Sequence, residues 1–393
     1  MRKMTLRDLD PRGKRVLVRV DYNVPLDKQG KITDDARIRG SLPTLNFLLE
    51  RECSIVLMSH LGRPKGKPEP KYSLKPAAER LSELLSRPVE LAATVVGPDV
   101  EEQASWLTAG QLLMLENLRF HPGEEANDDA LAKQLAGLAE IYVNDAFGAA
   151  HRAHASTAAV ARHLPAVAGF LMEKEIDYLS RVTEKPERPF VAILGGAKVS
   201  DKIGVIDNLG KVADKLLIGG AMAFTFFKAQ GAEVGDSLLE ADKVAQAGVL
   251  LERFGDKLVL PVDIVIAAEP KVGVAVRTVA WNAIPAGQKG LDIGPETVAL
   301  FSKALAGART VVWNGPMGVF EVPEFAEGTR QVARLVAGSG GTTVIGGGDS
   351  AAAIGQLGFA DRVSHVSTGG GASLEFLEGL ELPGVAALND RKS

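Results

Sequence analysis

The chain has 393 residues, more than one ordinary hydrophobic core accommodates, so two domains are expected. Its residues are 46% hydrophobic and 24% charged, as in a soluble globular protein, and a net charge of −4 argues against nucleic acid or an anionic membrane as partner. One cysteine excludes an intrachain disulfide, no run is apolar enough to span a membrane, and no signal peptide is expected, which together point to a cytoplasmic location.

Short apolar runs of strand character recur, each followed by a turn and then helical periodicity. Arg15–Val20 runs into Asp21-Tyr22-Asn23-Val24-Pro25, with Arg37 beyond it. Ile55–Met58, preceded by Cys53, which is expected in the core, runs into Ser59-His60-Leu61-Gly62-Arg63-Pro64. Leu112–Leu115 leads to Glu116-Asn117-Leu118-Arg119-Phe120, and a helix is expected over 129–139. Asn144-Asp145-Ala146-Phe147 and His151-Arg152-Ala153-His154 follow. The two histidines lack the partners and spacing of a zinc site, so Arg152 reads as another anion ligand. Lone cations of this kind suit a small anion gripped from several sides, arginine in bidentate fashion.

Residues 169–182 read as one amphipathic helix with Leu171, Ile176 and Leu179 on one side, followed by the charged, proline-marked linker Glu184–Pro189. Beyond it, Phe190–Leu194 opens into Gly195-Gly196-Ala197-Lys198, and a helix starting near Val199 would place Lys202 one turn from Lys198. That pair suits a phosphate chain or, equally, a solvated charged face; no Walker A string occurs. Strand runs are expected at 215–218, 262–266, 310–313 and 342–345, with a helix over 238–254. Three further loops follow strands: Trp313 through Pro316 to Glu321, Gly346-Gly347-Gly348-Asp349-Ser350, and Thr368-Gly369-Gly370-Gly371-Ala372-Ser373. Glycines there permit close backbone approach to phosphates. Asp349 suits either a helix cap or a nucleotide-borne magnesium ion, and Glu321 a ribose.

Strands alternating with helices imply βαβ units, hence an α/β fold of two Rossmann-like domains with mostly parallel sheets, joined by an interdomain helix and hinge. Ligands then sit at the carboxyl ends of strands, where these loops fall. A nicotinamide-dependent dehydrogenase would want G-x-G-x-x-G after the first strand and an acidic residue about 20 further on, and neither occurs there. A non-catalytic binding protein on the same fold is the other reading, against which Arg37, Lys198 and Asp349 stand intact.

These strings, in this order, closely resemble the phosphoglycerate kinase family, in its bacterial form, over nearly the whole chain. The resemblance implies an N-terminal domain, 1–168, binding 3-phosphoglycerate or 1,3-bisphosphoglycerate, with the tail 376–393 packed back on it. A linking segment, 169–185, and a nucleotide-binding domain, 186–375, follow. It implies that Asp21, Asn23, Arg37, His60, Leu61, Gly62, Arg63, Arg119 and Arg152 hold the substrate. Gly196, Ala197, Lys198, Lys202, Gly220, Gly294, Asn314, Pro316, Glu321, Gly347, Gly348, Asp349 and Ser350 would hold ATP or ADP, with magnesium on Asp349. Arg37, Lys198, Gly347 and Gly370 would act on the transferred phosphoryl group, and the protein is expected to be a monomer. Ala149 and Ala221 stand where threonine and glycine are common in the family.

Overall fold

A computed structural model describes residues 3–391, in two compact units. One runs to Asp177 and resumes at Glu381; the other is Tyr178–Leu380. The division falls inside the helix Phe170–Thr183, so the expected linking segment 169–185 is shared between the units.

The first unit is built on β1 (Arg15–Arg19), β2 (Ser54–Met58), β3 (Val89–Leu91), β4 (Leu112–Met114), β5 (Ile141–Asn144) and β6 (Ala166–Ala168). They form one parallel sheet in the order β3-β4-β2-β1-β5-β6. All residues of β2, β4 and β5 are buried, as a sheet covered by helices on both faces requires. Val16, Val18, Ile55, Leu57, Leu45 and Leu81 belong to its core. From β1 the chain goes to β2 on one side and returns later to β5 on the other. The carboxyl ends of β1 and β5 therefore mark a topological switch point, where such sheets bind ligands.

The C-terminal segment belongs to this unit. Met4 N–H donates to Asn389 O (2.8 Å), Ala166 N–H to Asn389 Oδ1 (2.7 Å), and Asn144 Nδ2 to Gly384 O (3.1 Å). Residues 376–380, expected in the tail, lie in the other unit, where Leu377 O accepts from Asn208 Nδ2 at 2.9 Å. Cys53 is fully buried, its thiol 3.0 Å from Pro11 O, and burial pushes its pKa up to about 11.

The second unit contains β7 (Phe190–Leu194), β8 (Lys215–Ile218), β9 (Leu258–Val259), β10 (Asp263–Ala267), β11 (Arg277–Ala280), β12 (Lys289–Ile293), β13 (Thr310–Asn314), β14 (Thr342–Gly346) and β15 (His365–Val366). Its main sheet is parallel, in the order β15-β14-β13-β7-β8-β9. Here the switch lies between β7 and β13.

The run expected at 262–266 is β10, and it sits outside that sheet, between β11 and β12 in an antiparallel one. β11 is largely exposed, so no apolar pattern announced it. Two helices start later than expected. Glu240 accepts from Ser200 N–H (3.0 Å) and Ser200 Oγ (2.6 Å), which ties the two segments together ahead of their helices. The helices then begin at Ile203 and Val244 rather than near 199 and 238. The helix expected over 129–139 ends at Gly137.

Candidate active site

In the first unit, four strand ends supply the predicted anion ligands. After β1, Asp21 pairs with Arg37 (Nη1 to Oδ2, 2.8 Å), and Asn23 Oδ1 accepts Gly62 N–H at 2.9 Å, tying that loop to the one after β2. Asn117, past β4, is fully buried; it accepts from Leu61 N–H (3.2 Å) and Arg119 N–H (3.1 Å) and donates to Leu61 O (2.7 Å). Arg119 Nη1 donates to Gly62 O at 2.7 Å. Arg152, past β5, donates from Nε to His151 Nε2 at 3.1 Å, and Arg63 is exposed.

The charges of Arg19, Arg119 and Arg37 all bear on His60, and those of Arg152 and Arg19 on Arg119, so the cations share one field. Burial and then these charges hold His60 well below its ordinary pKa; the same causes bring His154 down to about 4. Both rings are neutral at physiological pH. His60 and His154 therefore add no positive charge to the site at physiological pH, while the arginines do.

Sequence reasoning missed the layer beneath. Arg19, at the end of β1, is 1% exposed; its guanidinium reaches Ser156 Oγ (2.9 Å), Val20 O and His60 Nδ1 (3.0 Å). Ser156 Oγ in turn donates to the fully buried Glu124 (2.6 Å). The readable signal was a charged residue closing an otherwise apolar central strand.

In the second unit, loops after β7, β8 and β13 interlock through backbone. Gly196 N–H donates to Pro316 O (2.9 Å), Gly220 N–H to Met317 O (3.0 Å), and Gly195 N–H to Asn314 O (2.9 Å). A Cβ on Gly315, where φ is +97°, would lie 2.2 Å from Gly195 O; one on Gly220, at +67°, would lie 2.5 Å from Gly196 N. Only glycine allows this approach.

The interlock borders a cavity of about 440 Å³, large enough for a small ligand. Gly196, Ala197, Gly220, Pro316, Glu321 and Asp349 line it, with Phe224, Ile264 and Phe320 supplying apolar wall. Asp292 also lines it; burial pushes its pKa up to about 8, against N–H donors from Gly328 (2.7 Å) and Ile293 (2.9 Å). Gly294 lies outside the lining, at the N-cap of the helix Pro295–Leu305, where a Cβ would strike Asp263.

Beside the cavity, Lys202 Nζ contacts Asn314 Oδ1, and burial lowers the Lys202 pKa. Asn314 is 1% exposed and its Nδ2 lacks a partner, 3.0 Å from where a Gly347 Cβ would stand. The helix Gly348–Gln356 starts at Gly347 without a side-chain cap, so its first N–H groups are open to an anion. Asp349 is in its first turn rather than at the cap, and Ser350 Oγ accepts Gly315 N–H at 2.5 Å. Gly370 caps the seven-residue helix Gly371–Leu377 in the same way. Lys198 is exposed and lies in the turn before the helix, not on it.

No group of three or more His, Cys, Asp or Glu suited to a metal occurs among the described residues. Asp349 alone fits a cation that arrives on phosphate oxygens. A larger groove, about 980 Å³, lies in the first unit between Pro68, Pro70, Val95 and Phe120, but none of the predicted anion ligands lines it. Among the described residues, no helix is long and apolar enough to cross a membrane.

Two α/β units with parallel main sheets, one bearing arginines and the other open helix N-termini at their strand ends, suit a phosphotransferase of the two-domain α/β class. Comparison with known proteins agrees. The profile described as phosphoglycerate kinase matches residues 6–380. The chain is 59% identical to a phosphoglycerate kinase of Rubrobacter xylanophilus over 392 residues, covering all of both chains. It is 58% identical to that of Chlorobium limicola, over 99% of this chain and all of the relative. The solved phosphoglycerate kinase of Coxiella burnetii superposes with a TM-score of 0.89 at 41% identity, over 98% of each chain. That of Pyrococcus horikoshii gives 0.86 at 36%, also over 98% of each. The chain belongs to the phosphoglycerate kinase family and is an enzyme.

Proposed function

We propose that the protein catalyses reversible in-line phosphoryl transfer between MgATP and the carboxylate of 3-phosphoglycerate, giving MgADP and 1,3-bisphosphoglycerate. The observation that carries this reading is the pairing, in one chain, of an arginine cluster at one switch point with a capless helix N-terminus beside a cavity at the other.

Arg37, Arg63, Arg119 and Arg152 neutralise the substrate's phosphate and carboxylate. Asn23, His60, Leu61 and Gly62 shape their loops and add neutral contacts, and the Asp21 carboxylate orients Arg37 through their ion pair. Gly196, Ala197, Gly220 and Pro316 border the adenosine, and Glu321 holds the ribose hydroxyls; Gly294, outside the cavity lining, is assigned to the adenosine by the family resemblance alone. Lys202, Asn314, Gly348 and Ser350 serve the phosphate chain, and Asp349 shares the magnesium ion that comes with it. Arg37, Lys198 and the N–H groups of Gly347 and Gly370 meet the charge on the transferred group.

The acceptor carboxylate is ionised at neutral pH, so no general base is required. Catalysis then consists of positioning and charge neutralisation. Each substrate is held by its own unit, and transfer proceeds on closure of the chain that joins them. The enzyme acts as a cytoplasmic monomer. The test is 3-phosphoglycerate-dependent turnover of MgATP, with the product captured by a dehydrogenase that consumes NADH. Turnover that needs both substrates and magnesium supports the proposal. Its absence in folded protein that binds both ligands overturns it.

A further inference from the structure

His60 ends in a buried chain of hydrogen bonds whose direction is fixed. Glu124 is fully buried and accepts from Ser156 N–H (3.0 Å) and Ser156 Oγ (2.6 Å). Having donated its hydroxyl proton there, Ser156 Oγ is left with lone pairs, and it accepts Arg19 Nε–H at 2.9 Å. A guanidinium has donors only. Arg19 Nη2, 3.0 Å from His60 Nδ1, must therefore donate to it, and Nδ1 must carry a lone pair. The ring proton then resides on Nε2, which is not among the sealed, unpartnered atoms of the described residues. Arg19 itself is 1% exposed, below His60 at 7%, so it acts on a ligand through His60.

We propose that Arg19 is a positioning residue: held by Ser156 and countered by the buried Glu124, it fixes His60 as a neutral imidazole that offers Nε2–H to the bound anion. His60 is then a directional hydrogen-bond donor in the site, not one of its cations. The charges of Arg19, Arg119 and Arg37 bear on the ring and oppose its protonation, and the nearby His154 is itself neutral at physiological pH. The role in substrate binding rests on the function proposed above; the tautomer does not.

The first measurement is therefore made on ligand-free protein, by two-bond nitrogen–proton correlation of the 15N-labelled imidazole rings between pH 5.5 and 8. The expected spectrum of His60 is the Nε2–H tautomer, unchanged over that range. An Nδ1–H pattern, or an imidazolium that titrates there, overturns the proposal. In Arg19→Met the fixed pattern is expected to give way to a tautomer mixture that titrates, and Arg19→Lys, which keeps a donor and the charge, restores it in part. In the same variants KM for 3-phosphoglycerate should rise about tenfold for Met and less for Lys, as for loss of one hydrogen bond to a charged group, with KM for MgATP unmoved. If Arg19→Met leaves Glu124 buried and uncompensated and fails to fold, Arg19→Met with Glu124→Gln removes both charges and gives the same readout. A His60 pattern identical to wild type in folded Arg19→Met overturns the proposal. A wild type with the expected tautomer but no turnover upholds the network and overturns only the functional reading.

Discussion

Asp145→Asn is expected to stabilise the protein at neutral pH. Asp145 is fully buried at the end of β5, where Oδ1 accepts N–H groups of Leu171 (2.9 Å) and Met172 (3.2 Å) at the start of the helix Phe170–Thr183, and Oδ2 has no partner. Burial pushes its pKa from 3.8 up to about 6, with Thr44 and the two N–H groups working the other way. Because the folded pKa lies above the unfolded one, both states hold the proton well below pH 3.8 and no penalty exists there. As pH rises toward 6 the unfolded chain ionises while the folded one resists, and stability falls. The full penalty is present above about pH 6. At about 1.4 kcal/mol per tenfold change in proton affinity, it reaches about 3 kcal/mol at pH 7 and about 1.6 kcal/mol at pH 5. Asparagine keeps the Oδ1 acceptor and exchanges an orphaned oxygen for an orphaned N–H, so it escapes mainly the charge term. Equilibrium urea unfolding by circular dichroism at pH 5, 6 and 7 measures the gap. Since two units can unfold separately, amide exchange at Leu171 and Met172 supplies the local reading. A variant no more stable than wild type at pH 7, or a gap that fails to narrow at pH 5, refutes the reasoning.

Lys198→Ala should lower kcat by about 10²–10³ with little change in KM, as for other groups that meet charge only in the transition state; steady-state kinetics with an unaltered kcat sinks the assignment. Arg37→Ala should raise KM for 3-phosphoglycerate while, in the wild type, affinity for that ligand stays flat from pH 7 to 8, where its phosphate is already largely a dianion, because the arginines stay charged and His60 and His154 are already neutral. Calorimetric titration showing a histidine-like loss of affinity across that range contradicts this. Gly315→Ala places a Cβ 2.2 Å from Gly195 O at a φ of +97°. It should cost about 3 kcal/mol or more and weaken nucleotide binding, read by thermal unfolding with and without MgADP. Asp349→Asn should raise the magnesium concentration needed for half-maximal turnover while leaving 3-phosphoglycerate binding intact, and an unchanged magnesium requirement would remove Asp349 from that role.

The sequence alone determined the α/β class, because wholly buried strands such as Ile55–Met58 and Thr310–Trp313 read as continuous apolar runs whichever neighbours they pair with. It also located the loops, since glycines and lone arginines are conspicuous where apolar runs stop. Pairing order, by contrast, depends on contacts between residues far apart in the chain. Nothing in Val262–Ile266 announced that β10 pairs antiparallel with an exposed β11 rather than joining the parallel sheet. Just ahead of the helices that start at Ile203 and Val244, Glu240 reaches Ser200, a contact 40 residues long in sequence that local propensity cannot carry. The layer under the arginines was hidden for the same reason. Arg19, Ser156 and Glu124 are each unremarkable in their own segment, and only burial together makes their hydrogen bonds obligatory and fixes the direction in which His60 can donate.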